Sequence, residues 1–293
     1  MPLDAFLQYI RHEKRYSDHT LLSYTKDLEQ FQVFLHLQYD HQLLTDVGFQ
    51  HIRSWIVYLM DEGHSARTVN RKLSTLRSYY KYLYKKKHIS ANPTIGIKGP
   101  KMPVRNPAFV TETAMNKLLD QIQFPDDFFG FRDRMIIEIL YLTGMRRAEL
   151  ISLKEDDLDF SLHLVKVLGK RNKERMIPLS PILETALKAY LLAKKEAGFL
   201  GPYLFESSKG KKMNPRSVYA IVYRSLSIVT SSDYKSPHTL RHTFATHLLN
   251  RGADLNAIKE ILGHASLSAT QVYTHNSVEK LKRVHHKAHP RSK

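Results

Sequence analysis

Cysteine is absent from the 293 residues. That excludes disulfides, thiolate zinc sites, iron–sulfur clusters and a cysteine nucleophile. No uninterrupted apolar run approaches the roughly 18 residues of a membrane span, so no membrane partner is expected. The first residues, MPLDAFLQYIRHEKR, carry an acid at Asp4 and no long apolar stretch, so no secretory signal is expected and a cytoplasmic location is. Acidic residues are also in short supply. Asp and Glu number 28 against 45 Lys and Arg, a formal charge of +17. The excess is spread along the chain, with 14 basic against 9 acidic residues in 1–100 and 31 against 19 in 101–293. A charge of this size repels itself unless a polyanion relieves it, and nucleic acid is the partner it suits. What is present otherwise is ordinary: 42% hydrophobic and 25% charged residues suit folded domains with real cores, and the length allows two or three of them.

Residues 3–86 carry helical periodicity. Leu3, Phe6, Leu7 and Ile10 form one stripe, and Leu21, Leu22, Tyr24, Leu28, Phe31, Phe34 and Leu35 another, opened by Ser17 or Asp18. Ile52, Trp55, Ile56 and Leu59 make a third, closed by Gly63. The fourth starts at Ser65 or Ala66 and turns Val69, Leu73, Leu76, Tyr79, Tyr80 and Leu83 inward. Four short-looped helices predict a bundle. Arg67, Arg71, Lys72 and Arg77 on the fourth helix suit either a solvated face or a surface for phosphates. Residues 88–108 hold Pro93, Pro100, Pro103 and Pro107, which excludes a helix and predicts a linker, with Lys98, Lys101 and Arg105 placed to follow a nucleic-acid backbone.

The remainder is mixed. Helical stripes cover 112–121, 129–142, 181–195, 215–229 and 239–250. Residues 158–168 and 174–179 read as a β-hairpin with the basic tip GKRNKER. The last residues, KLKRVHHKAHPRSK, are basic and rich in histidine. Val278, Leu281 and Val284 give them a short apolar edge with little to bury within its own domain, which reads as either a frayed tail that touches nucleic acid or a helix for a groove on another copy of the chain.

Three segments could carry chemistry. In TGMRRAEL (143–150), Gly144 breaks an apolar helix and Arg146 opens a new helical turn, a place suited to an oxyanion, with Glu149 one turn on to hold the guanidinium. In SPHTLRHTFATHLLNRG (236–252), Ser236 caps a helix, and His238 and Arg241 lie at i and i+3 on one face. His238 and His242 have a metal-ligand spacing, but no HExxH pattern accompanies them. In ILGHASLSATQVYTH (261–275), Gly263 ends a helix begun near Asp254, His264 follows, and Tyr273 sits on a short helix whose tyrosine would ordinarily be core.

Together, TGMRRAEL, VLGKRNKERMIPL, HTLRHTFATHLL and LGHASLSATQVY, in that order and spacing, resemble the tyrosine recombinase (phage integrase) family and, within it, the Xer-type chromosome-dimer recombinases. The resemblance covers nearly the whole chain. It implies a mainly α protein with an α+β catalytic domain: a SAM-like four-helix core-binding domain at 1–87, a linker at 88–108, and a helical catalytic domain with a small antiparallel sheet at 109–293. Residue by residue it implies catalytic roles for Arg146, Lys170, His238, Arg241 and His264, with Tyr273 as the nucleophile that forms a 3′-phosphotyrosine. Where the family's hairpin usually reads GKGNKER, this chain has Arg171 in place of the middle glycine. The implied activity is site-specific cutting and rejoining of double-stranded DNA without metal, ATP or other cofactor, by a homo- or heterotetramer. A second related recombinase and a DNA translocase of the division machinery are the further partners the resemblance allows. Integration of a mobile element or phage, a type IB topoisomerase, and a non-catalytic DNA-binding protein on the same fold are the alternatives.

Overall fold

The computed structural model describes residues 2–40, 43–103, 108–169, 173–263 and 275–292, the side chains at 275–278 and 280 excepted. The chain divides into two compact units, Met1–Arg105 and Asn106–Lys293.

In the first unit α1 (Pro2–Gln8) runs into a wider π turn at Tyr9–Glu13, followed by α2 (Asp18–Gln38), α3 (Phe49–Asp61) and α4 (Ala66–Lys85). Ser17 and Ser65 supply the caps, accepting hydrogen bonds from the amides of Thr20 and Thr68. The stripes meet in a core around Phe6, Leu28, Phe31, Trp55, Leu76, Tyr79 and Tyr80. One carboxylate is buried in the same place. Asp27 of α2 receives Arg71 and Lys72 of α4, with Thr75 Oγ1 donating to it at 2.9 Å. Lys72, a candidate DNA contact, turns inward instead of lying on a solvated face. Its side chain is only 4% exposed, and its ammonium is occupied by Asp27 and Gln30 and lies over the Trp55 ring. Turning it toward DNA would take one of two cations from a buried carboxylate. The proline-rich segment does not hang free of α4. Ile97 is buried in this core, its carbonyl accepts from Arg77 at 2.7 Å, and Asn70 donates to the Pro100 carbonyl at 2.8 Å.

The second unit comprises α5 (Glu112–Asp120), α6 (Phe128–Thr143), α7 (Arg147–Ser152), strands β1 (Leu158–Asp159), β2 (Leu164–Leu168) and β3 (Glu174–Pro178), then α8 (Pro181–Glu196), α9 (Pro215–Val229), α10 (Pro237–Asn250), α11 (Leu255–Leu262) and α12 (His275–Ala288). Three helices open with a polar cap followed by proline: Ser180–Pro181, Asn214–Pro215 and Ser236–Pro237. Proline suits that position because its missing N–H would have no intrahelical partner there. Helix α6 is apolar on all sides from Met135 to Leu142, apart from Glu138, and is buried between α8 and α10. The sheet is antiparallel in the order β1-β2-β3, with Val165 opposite Ile177 and Leu168 opposite Glu174. The stretch 158–168, read as one strand from sequence, is two. Asp159 accepts from the amides of Ser161 and Leu162 and turns the chain between them.

The C-terminal helix brings a second correction. It packs on its own unit: Leu281, His285, Ala288 and His289 are buried, and Val284 lines the same core. The histidines make the difference, because a neutral imidazole packs like an aromatic ring once its N–H finds a carbonyl. His285 Nε2 meets the Leu142 carbonyl at 2.8 Å and His289 Nε2 the Tyr141 carbonyl at 3.3 Å. Their rings stack on each other at 5.3 Å and lie against Phe244. Burial pushes His285 down to about 4 and His289 well below the ordinary histidine range. Both folded-state values are depressed, so the unfolded chain takes up protons first as pH falls. Their contribution is fully present above about pH 6.5 and is lost on the way down to about pH 4. For His285 alone, unfolding at pH 5 should require about 2 kcal/mol less than at pH 7.5. Denaturant titrations at the two pH values measure this, and His285→Gln should flatten the dependence. An equal slope in both proteins would assign the acid sensitivity elsewhere.

Candidate active site

The site forms where α6 ends. Gly144 takes the left-handed conformation that closes the helix, at φ 60°, and a Cβ there would stand 2.5 Å from the Phe244 ring. Only glycine turns the chain this tightly against α10. The turn delivers Arg146 to the N-cap of α7. Glu149, three residues on, accepts from the Arg146 amide at 2.6 Å and from its Nη1 at 2.9 Å. The sequence placed this pair correctly.

It gave no place to Arg175. This arginine occupies an inward register position of β3, between exposed Glu174 and half-buried Met176, where the alternation calls for an apolar residue. Its two Nη atoms bind the two oxygens of Glu149 at 2.8 Å each, and its Nε donates to the Ile261 carbonyl at 2.7 Å. An arginine at an inward position of a strand was the available signal. Glu149 is 4% exposed and thus serves two guanidiniums at once. Burial alone would raise its carboxyl, but the hydrogen bonds and charge of Arg175, with those of Arg146, outweigh it and hold the group at about 2.

Arg241 enters from α10. It is 6% exposed, and its Nη1 and Nη2 donate to the carbonyls of Gly144 at 2.7 Å and Leu262 at 2.6 Å. Burial, together with the positive charges of Arg146 and Arg175, pulls its pKa down to about 10, so it remains charged at neutral pH. Arg146 Nη2 donates to the Gly263 carbonyl at 3.2 Å. Three guanidiniums therefore sit on three successive carbonyls, 261, 262 and 263, at the C-terminus of α11, where unpaired carbonyls and the negative end of the helix dipole favour cations. One carboxylate among three guanidiniums leaves the cluster positive. A guanidinium carries five N–H donors. Arg146 and Arg241 each spend few of them on protein, and Arg146, one-third exposed, opens to solvent. The arrangement suits a tetrahedral oxyanion.

His238 is exposed, one turn before Arg241 on α10, and beside it His242 is held below the ordinary histidine range by burial and by His238. Lys170, His264 and Tyr273 lie outside the described residues. The described residues before the first two reach the cluster: a Cβ on Gly169 would be 3.7 Å from Glu149, and Gly263 carries the carbonyl that Arg146 holds. Among the described residues no cluster has a metal-ligating composition and no helix is long and apolar enough to cross a membrane. Of the other basic residues singled out, Arg67, Arg71, Arg77, Lys98 and Lys101 are exposed, with Arg71 bidentate on Asp27.

Comparison with known proteins agrees over the full length. Residues 108–280 match the phage integrase family and residues 3–87 its N-terminal SAM-like domain. The chain is 38% identical to tyrosine recombinase XerC of Bacillus licheniformis, covering 99% of this chain and 96% of that protein. It is 40% identical to the Staphylococcus saprophyticus XerC, covering 99% and 97%. The transposon Tn1549 integrase, solved in complex with circular intermediate DNA, shares the fold at a TM-score of 0.71, with 20% identity over 95% of this chain and 98% of that one. The lambda integrase tetramer bound to a Holliday junction gives 0.68, with 19% identity over 93% and 80%. The chain is a member of the phage integrase family, a site-specific DNA recombinase of the Xer-type tyrosine recombinases.

Proposed function

We propose that this recombinase resolves chromosome dimers, acting at a specific site as a tetramer on double-stranded DNA. Residues 1–87 serve as the core-binding domain, 88–108 as the linker and 109–293 as the catalytic domain. A second related recombinase can occupy half of the tetramer, and a DNA translocase of the division machinery is the partner that would time the reaction in the cytoplasm. The observation that carries the chemistry is the convergence of Arg146 and Arg241, from separate helices, on adjacent carbonyls with donors to spare.

In this reading the phosphodiester takes its non-bridging oxygens to Arg146 and Arg241, whose forks match it without a metal. The Tyr273 oxygen attacks phosphorus. Its proton passes to His238, the P–O5′ bond breaks, and the leaving 5′-oxygen takes a proton from Lys170. The 3′-phosphotyrosine conserves the bond energy, so no ATP is consumed. The 5′-hydroxyl of a partner strand then attacks the same phosphorus and releases the tyrosine. His264 donates to a phosphate oxygen. Arg67, Arg71, Arg77, Lys98 and Lys101 contact the backbone, and Lys72 does not.

The test is to select binding sites from random duplexes and build two directly repeated copies of the winner into a circular plasmid dimer. Conversion to monomers supports the proposal. Relaxation of supercoils regardless of sequence would favour a topoisomerase instead. For the proton donor, Lys170→Ala should slow strand cleavage, and a substrate with a 5′-thiolate leaving group should largely restore it, since a thiolate leaves without a proton. An unrestored rate would remove Lys170 from that role.

A further inference from the structure

We infer that Arg175 is a positioning residue of the recombination reaction: it fixes Arg146 through Glu149 and, with the same guanidinium, fixes the helix end from which the His264–Tyr273 segment departs. The inference rests on the functional reading above. It goes beyond that reading by assigning a role to a residue that is not expected to touch DNA.

The geometry has two arms. Through one, Arg175 meets both oxygens of Glu149 at 2.8 Å, which fixes the plane of the carboxylate. The oxygen that takes Arg175 Nη1 also takes Arg146 Nη1, and the oxygen that takes Arg175 Nη2 also takes the Arg146 amide. The carboxylate can therefore tilt only by dragging Arg146, backbone and side chain together. Through the other arm, Nε binds the Ile261 carbonyl at 2.7 Å. Arg241 and Arg146 hold the next two carbonyls, so the three arginines form one ladder on the end of α11. Gly263 lets that ladder close. At φ 65°, its Cβ would stand 3.0 Å from Arg175 Cδ and 3.3 Å from Nε.

Burial separates Arg175 from its neighbours in role. It is 4% exposed and commits Nε and both Nη atoms to protein, whereas Arg146 keeps an open face. Lysine cannot replace it in kind. An ammonium is a point charge, able to neutralise Glu149 but unable to hold both its oxygens and the Ile261 carbonyl in one plane. The expected loss is one of alignment. A displacement of about 1 Å in a group that must meet a transition state costs on the order of 10²-fold in rate.

The experiment uses the full chain and a nicked suicide duplex under single-turnover conditions, with Kd for the same duplex measured in parallel. Arg175→Lys should lower the cleavage rate by about 10- to 100-fold and leave Kd within about twofold. The decisive measurement is the double mutant. If Arg175 works through Arg146, adding Arg175→Lys to Arg146→Lys should cost less than about threefold more, because the group being positioned is already compromised. A residue that only held the fold together would multiply its loss onto the other. Glu149→Gln keeps the shape of the link and removes its charge. It should show the same non-additivity, and should Arg175→Lys not fold, Arg175→Gln, which leaves no unpaired buried cation, takes its place in the pairing with Arg146→Lys. Wild-type cleavage in Arg175→Lys, or fully multiplying losses in both pairs, overturns the inference. A wild-type protein that never forms a covalent adduct overturns the functional reading instead.

Discussion

A Tyr273→Phe protein is expected to bind its duplex with wild-type affinity and leave no protein attached to the DNA. The substitution removes one oxygen and keeps the ring, so folding and docking have no reason to change. Loss of an attacking nucleophile costs at least about 10⁴-fold in rate. A nicked suicide substrate run on a denaturing gel should show the shifted covalent band for the wild type alone. A persistent adduct in the variant would mean that another of the 16 tyrosines carries the chemistry. The buried hydroxyls are poor substitutes: burial lifts Tyr79 to about 12 and drives Tyr80, Tyr141 and Tyr190 well above the usual phenol range.

The second large effect belongs to Arg241. Arg241→Lys should reduce cleavage by about 10²–10³-fold, the usual cost of losing one preorganised donor to a developing charge. It should also lower the melting temperature, which distinguishes it from Tyr273→Phe. The carbonyls of Gly144 and Leu262 each lose a buried partner, and unmet buried acceptors destabilise. Single-turnover cleavage and thermal unfolding on one preparation check both halves. A fully active Arg241→Lys enzyme would show that the charge alone suffices and that the fork geometry is incidental.

Much of this molecule was legible before any coordinates, for local reasons. Cap residues stand at the helix starts, glycines mark the stops at 63, 144 and 263, and the apolar spacing chose helix over strand in nearly every segment. Arg146 with Glu149 and His238 with Arg241 could be paired because each pair is separated by a single turn. What sequence could not supply was the long-range half of the site. Arg175 lies 26 residues from its partner Glu149, and although its inward register position sets it apart from the other basic residues of the hairpin, nothing local names that partner. The inward turn of Lys72 was hidden for the same reason: its partner Asp27 lies 45 residues away on another helix. The C-terminal helix was misjudged on composition. His285 and His289 count as polar in a sequence, yet they bury as rings once Leu142 and Tyr141 offer them carbonyls.

The arginine ladder on α11 also has a thermodynamic consequence. Three like charges are gathered around one carboxylate before any substrate arrives, and backbone oxygens only partly compensate them. The folded state therefore carries an unmet demand for anions that the unfolded chain, with its arginines dispersed, does not. By mass action, any oxyanion that fills this space favours folding in proportion to its occupancy. The stability of the second unit is thus no fixed property of the chain. It rises with any oxyanion that binds this ladder more tightly than it binds the unfolded chain.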